Sequence, residues 1–81
     1  MDRAAIRAKV QAILRDVVDD DEVIVTDDTV AEDVVDWDST NHVRLIIAVE
    51  EAFHIRFDTD EITTPKSVGE LVTLIGAKLA A

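Results

Sequence analysis

At 81 residues the chain has room for one domain, expected to span 1–81, and at that size it buries only about 60–65% of its unfolded surface, too little for a deep enzymatic cleft. Eighteen acids against eight bases leave a formal charge of −10, which repels phosphate backbones and anionic lipid headgroups and so disfavours nucleic acid and membrane partners. With no cysteine there is neither a disulfide nor a thiolate metal centre, and two Phe plus one Trp are too few for a base-stacking surface.

Stability must then come from packing, and a 48% hydrophobic content, nearly all aliphatic, is enough material. The basic start (Arg3, Arg7, Lys9) is followed by Gln11 and Arg15 instead of an apolar run, so no signal-peptide core is expected. The longest apolar run, Leu45 to Val49, is far short of a membrane span. The expectation is a soluble, cytoplasmic monomer.

Ile6, Val10, Ile13, Leu14 and Val17 recur at spacings of three and four, one face of a helix. Asp2 is placed to cap it, and the like charges of Asp19 to Glu22 stop it, which predicts a helix from about Arg3 to about Val18. Asp19 to Asp38 is a long acidic connection without periodicity. Val23-Ile24-Val25 has strand composition but no partner run, and an isolated strand leaves its backbone unpaired. The segment reads as an ordered loop whose apolar residues, with Val30, Val34, Val35 and Trp37, pin it to the core. Long loops of this kind in compact domains are usually functional, which draws attention to the far end of this one.

A second helix is predicted from near Ser39 to near Phe53 or His54, with Leu45, Ile46, Val49, Ala52 and Phe53 on its core face. Val43 and Ile47 share a neighbouring ridge with Ser39, bordered by Glu50, while Arg44 and Glu51 lie farther round on the solvent side. A short helical turn is expected around Thr59–Ile62, and Pro65 disfavours helix at Thr64. Ser67-Val68-Gly69-Glu70 has the spacing of a capping box, and Val68, Leu71, Val72, Ile75 and Leu79 follow as an apolar stripe. The fold class is therefore all-α: a small four-helix bundle of three main helices and one short one, with a long first loop.

Ser39 is the one serine at the point where the acidic loop turns into the apolar second helix. The backbone N–H groups of a helix start suit a phosphate attached there. By itself such a serine, like Asp38 before it, is an ordinary helix cap. The wider pattern is more specific: Asp38-Ser39, the ridge of Val43 and Ile47, the Glu50-Glu51 pair, Phe53 closing the helix, and a last helix opening at Ser67-Val68. Over nearly its whole length the chain resembles the acyl carrier proteins. In that family the serine of an Asp-Ser-Leu motif, opening the second helix, carries a 4′-phosphopantetheine arm derived from coenzyme A.

Carried onto this sequence, the resemblance makes Ser39 the attachment residue and Asp38 its motif neighbour. It places Val43, Ile47, Glu50 and Glu51 where carriers meet partner enzymes: a phosphopantetheinyl transferase and acyl-loading and acyl-transferring enzymes with basic docking surfaces. An apolar ridge flanked by carboxylates gives rapid, salt-sensitive and weak docking. The implied function is that of a non-enzymatic carrier holding acyl groups as thioesters for a dedicated pathway, fatty-acid, polyketide or related. Magnesium belongs to the reaction that installs the arm, and no permanent metal ligand is expected. Two positions depart from the pattern: Thr40 stands where the family has Leu or Met, and Arg44 where many members have Glu. Both point to a specialised, free-standing carrier.

Rival readings start from the same residues. Ser39 with His42 three residues on could suggest a hydrolase, but no Gly-x-Ser-x-Gly elbow is present, and His42 reads as an exposed helix residue. Calcium loops started at Asp36 or Asp19 put Asn41 or Ile24 at the position that requires glycine. An aminoacyl or D-alanyl carrier, and an acidic helical interaction module without a prosthetic group, remain as alternatives.

Overall fold

The computed structural model describes residues 1–80, which form α1 (Arg3–Val18), a 3-10 turn (Ala31–Asp33), α2 (Ser39–Phe53), α3 (Thr59–Thr63) and α4 (Val68–Ala80). Each boundary has a local cause. Asp2 caps α1 by accepting from Ala5 N at 2.8 Å, and Asp38 caps α2 by accepting from Asn41 N at 2.9 Å. At their C-terminal ends Asp19 and His54 turn left-handed, at φ 54° and 56°, and close on carbonyls of the last turn. Ser67 Oγ accepts from Glu70 N at 3.2 Å, while the Glu70 carboxylate reaches back to Lys66 N. The capping box thus forms with its return contact one residue early. Thr64 keeps helical dihedrals (φ −65°, ψ −44°) although Pro65 follows, so the proline ends α3 one residue later than expected.

α1 is the hub, packing against both α2 and α4. Its Ile6, Val10 and Leu14 meet Leu45, Ile46, Val49 and Phe53 of α2 and Val68, Leu71, Val72 and Ile75 of α4 in one buried cluster. Full burial of each such side chain is worth about 1.5–3 kcal/mol, so the aliphatic stripes are what hold the bundle together. Two expected core positions fall at its rim: Ala52 is exposed, and Leu79 is 38% exposed near the end of α4.

No strand forms among the described residues, and Val23–Val25 lies in the loop. The first part of that loop is bolted to the helices. Arg15 Nε donates to Val23 O at 2.7 Å, and Gln11 accepts from Val25 N at 3.0 Å, which seats Val25 in the core. Asp27 pairs with Arg7 at 3.2 Å and Arg3 at 3.4 Å. These guanidinium groups, the hydrogen bond from Arg7 foremost, hold its carboxyl below the usual carboxylate range. The first amides of α4, which have no partner within the helix, donate to the same loop: Val68 N to Thr29 O at 2.8 Å and Gly69 N to Asp27 O at 2.9 Å. Gly69 is required by this approach, because a Cβ there would stand 2.8 Å from Asp27 O.

The expectation that every apolar loop residue pins the loop to the core fails most clearly at two positions. Ile24 is 74% exposed between Val23 and Val25, which face in, and Val35 is 80% exposed beside Asp36, which is also exposed. Val23, Val34 and Trp37 do pack against the core, whereas Val30 is half-buried outside that cluster.

Candidate functional site

The approach to α2 is shaped residue by residue. Asp36 adopts a left-handed conformation at φ 69°, and Asn41 Nδ2 donates to its carbonyl at 2.7 Å, fastening the turn to the helix it precedes. Trp37 follows, half-buried, and then the cap Asp38. This sequence of turns brings Ser39 to the first position of α2 with its side chain in solvent.

Two of the four amides at that helix start are already satisfied. Asn41 N bonds to the Asp38 carboxylate and His42 N to Asp38 O. The amides of Ser39 and Thr40 have no partner among the described residues, which leaves positive N–H dipoles beside the serine hydroxyl. Next to Ser39 lies an open depression between α2 and α3, lined in part by Trp37, Val43, Ile62, Pro65 and Lys66. An exposed hydroxyl, free amides and a mainly apolar trough alongside suit a phosphodiester with an extended arm.

His42 differs from its expected place. It is half-buried, its Nδ1 accepting from Trp37 Nε1 at 3.1 Å and its Nε2 lying 2.7 Å from Ile62 O. With both ring nitrogens committed, it is not free to take a proton from Ser39, which removes the base that a hydrolase would need.

The ridge beyond Ser39 is largely as expected. Val43 is 50% and Ile47 49% exposed, and Arg44 and Glu51 face solvent. Glu50 is the exception. It is half-buried, and its Oε2 accepts from Phe57 N at 2.8 Å, so it braces the segment after α2 as well as bordering the ridge. That contact and the His42 contacts have no sequence signal, since each depends on where the chain returns after a turn. On the other flank Glu61 accepts from Asp58 N and pairs with Lys78 of α4 at 2.8 Å; the Asp58 amide first, then Lys78, lowers its pKa. Among the described residues no three His, Cys, Asp or Glu side chains converge on a metal position, and no helix is long and apolar enough to cross a membrane.

No protein-family model matches the chain. It is 35% identical over 82 residues to the acyl carrier protein of Thermosynechococcus vestitus (strain NIES-2133 / IAM M-273 / BP-1), with both chains covered in full. Its fold superimposes on the solution structure of the holo acyl carrier protein from Geobacter metallireducens with a TM-score of 0.85 at 37% identity. The match covers 93% of this chain and 86% of that one.

Proposed function

The chain belongs to the acyl carrier protein family, and from that premise we propose that Ser39 is the residue that bears its 4′-phosphopantetheine arm. The observation that carries the assignment is the position of Ser39: a solvent-exposed hydroxyl at the first residue of α2, beside free backbone amides and the trough between α2 and α3. When attached, the arm supplies the thiol that holds acyl groups as thioesters. The protein's own residues do the rest. Asp38 fixes the start of α2, the amides of Ser39 and Thr40 would be available to the phosphate, and the α2 ridge would meet partner enzymes.

The protein is a carrier and not an enzyme, and its partners are a phosphopantetheinyl transferase and the enzymes that load and remove its cargo. We assign docking to Val43 and Ile47 as apolar contacts and to Glu51 as the freely exposed carboxylate. Glu50 borders the site with one oxygen already engaged. Arg44 reverses the charge within this strip, which favours partners with an acidic or neutral spot at that point over uniformly basic ones. Thr40 and Arg44 together support service in a dedicated fatty-acid, polyketide or related pathway, as a cytoplasmic single-domain monomer.

Incubation with coenzyme A, magnesium and a broad-specificity transferase should raise the intact mass of the wild type by one arm and leave Ser39→Ala unmodified. A wild type left unmodified by several transferases, or a Ser39→Ala variant that still gains the arm, would defeat the assignment.

A further inference from the structure

The ring of His42 lies one turn along α2 from Ser39, and its two contacts define its protonation state. An indole N–H can only donate and a carbonyl can only accept. Nδ1, facing Trp37 Nε1, must therefore hold a lone pair, and Nε2, facing Ile62 O, must carry the proton. The two ring planes lie 22° from parallel with centroids 6.1 Å apart, an edge-to-edge arrangement that suits the in-plane lone pair of Nδ1. One side chain thus joins three parts of the site: the loop that leads to Ser39, the first turn of α2, and α3 across the trough.

We propose that neutral His42 is a positioning residue for reactions at Ser39, latching the Trp37 loop and α3 around the serine, and that its protonation releases the loop. The proposal rests on Ser39 being the attachment residue. An imidazolium carries N–H on both nitrogens. Nε2 would go on donating to Ile62 O, whereas Nδ1 would confront the indole N–H donor to donor. Protonation therefore breaks one specific contact, the one to the loop, and keeps the one to α3.

The charged side chains that line the depressions around the ring are Glu32 from the 3-10 turn, Asp38 from the cap and Lys66 from the segment before α4; none bonds to it. α3 contributes the Ile62 carbonyl, and its neighbouring Glu61 is held by Asp58 N and Lys78. The cap residue Ser67 and Leu71 of α4 complete the lining, neither of them charged.

A partner enzyme must receive Ser39 in one geometry. When only a fraction of carriers hold the loop in place, the apparent affinity falls by that fraction while the bound complex reacts as before. Loss of the latch should then raise the KM for the carrier and spare kcat.

The chain has a single tryptophan, so its indole N–H resonance reports on this hydrogen bond alone. That resonance and both histidine rings are followed by NMR in the unmodified protein as the pH is lowered from neutrality until the His42 ring is protonated. The indole signal should move with the midpoint of His42 and ignore that of His54, which is exposed at the end of α2. An indole signal that stays fixed while His42 titrates overturns the proposal whatever the variants do.

Arm transfer by the transferase provides the second measurement. His42→Gln keeps a donor within reach of Ile62 O but gives up the acceptor for Trp37, and should raise the carrier's KM roughly five- to tenfold with kcat within about twofold. His42→Asn keeps an acceptor near the Nδ1 position and should recover the indole signal and most of the KM. A Gln variant with wild-type KM, or one that loses kcat alone, overturns the proposal. Wild-type protein that takes up no arm sinks the Ser39 assignment and the positioning role with it, a result distinct from a fixed indole in a protein that is modified normally.

Discussion

The long connection between α1 and α2 is built in two different ways along its length. From Asp19 to Thr29 it is bonded to α1 and α4 at every few residues: Val23 and Val25 to Arg15 and Gln11, Asp27 to two arginines, and Asp27 and Thr29 carbonyls to the first amides of α4. From Val30 to Asp38 it makes no such bonds to α1 or α4. Its cross-chain ties run to the start of α2, through Asp36 O with Asn41 and Trp37 with His42. The remote half is therefore tied to the framework and the near half to the helix that displays Ser39. A loop organised this way can hold its anchor while its tip adjusts to a partner.

The strongest blow to the bolted half is Gly69→Ala. The new Cβ meets backbone, Asp27 O at 2.8 Å, which must shift, and crowding of this kind typically costs about 1–3 kcal/mol, partly offset by the better helix propensity of alanine. Urea unfolding should show a lower midpoint, while arm transfer to Ser39 proceeds because the near half has its own ties. Loss of transfer at unchanged stability would mean that the two halves are coupled after all.

A smaller effect is expected from Asp27→Asn, and its sign depends on pH. Hydrogen bonds from Arg7 and then Arg3 lower the Asp27 pKa in the folded state, so the stability it contributes is full above the unfolded aspartate value, about 4. That contribution is lost as pH falls through the lowered folded value. The gap between wild type and variant in urea midpoint should therefore stay constant from neutral pH down to about pH 5 and narrow below about pH 4. A gap that does not change across this range would show that the pairs with Arg3 and Arg7 contribute nothing.

The least effect belongs to Val35→Ser in the near half. With 80% of its surface in water, Val35 should change thermal stability by no more than about ±0.5 kcal/mol. A larger loss would mean that Val35 is packed in solution and that the near half is as firmly anchored as the far one.

Those differences mark what the residues themselves made legible. The helices could be read because each carries its own apolar stripe and its own cap: Asp2, Asp38 and Ser67 announce their starts, and Ile6 to Val17 or Leu45 to Phe53 their buried faces. The position of Ser39 at the start of α2 was legible for the same reason, since its place is set by the helix that follows it. The loop was not, because its order comes from distant partners. Nothing local in Val-Ile-Val says that Val25 is buried and Ile24 exposed; Gln11 and Arg15 decide it. Likewise His42 and Glu50 look like helix-surface residues until Ile62 and Phe57 come back to meet them.

The three left-handed residues have a further consequence for tolerance to change. Asp19, Asp36 and His54 all adopt positive φ, while neither of the two glycines does. A side chain in that conformation costs about 1–2 kcal/mol in the folded state, less for aspartate, whose short polar group bonds locally. Glycine would remove that cost, yet it would also give the unfolded chain more freedom to lose, worth about 0.4–1 kcal/mol in the opposite direction. The two changes nearly cancel at the two aspartates and leave at most a modest gain at His54, so these turns are held mainly by the elements on either side. They are positions at which the sequence can drift without moving the helices, and Asp36, next to Trp37, lets such drift reach the edge of the site without touching Ser39.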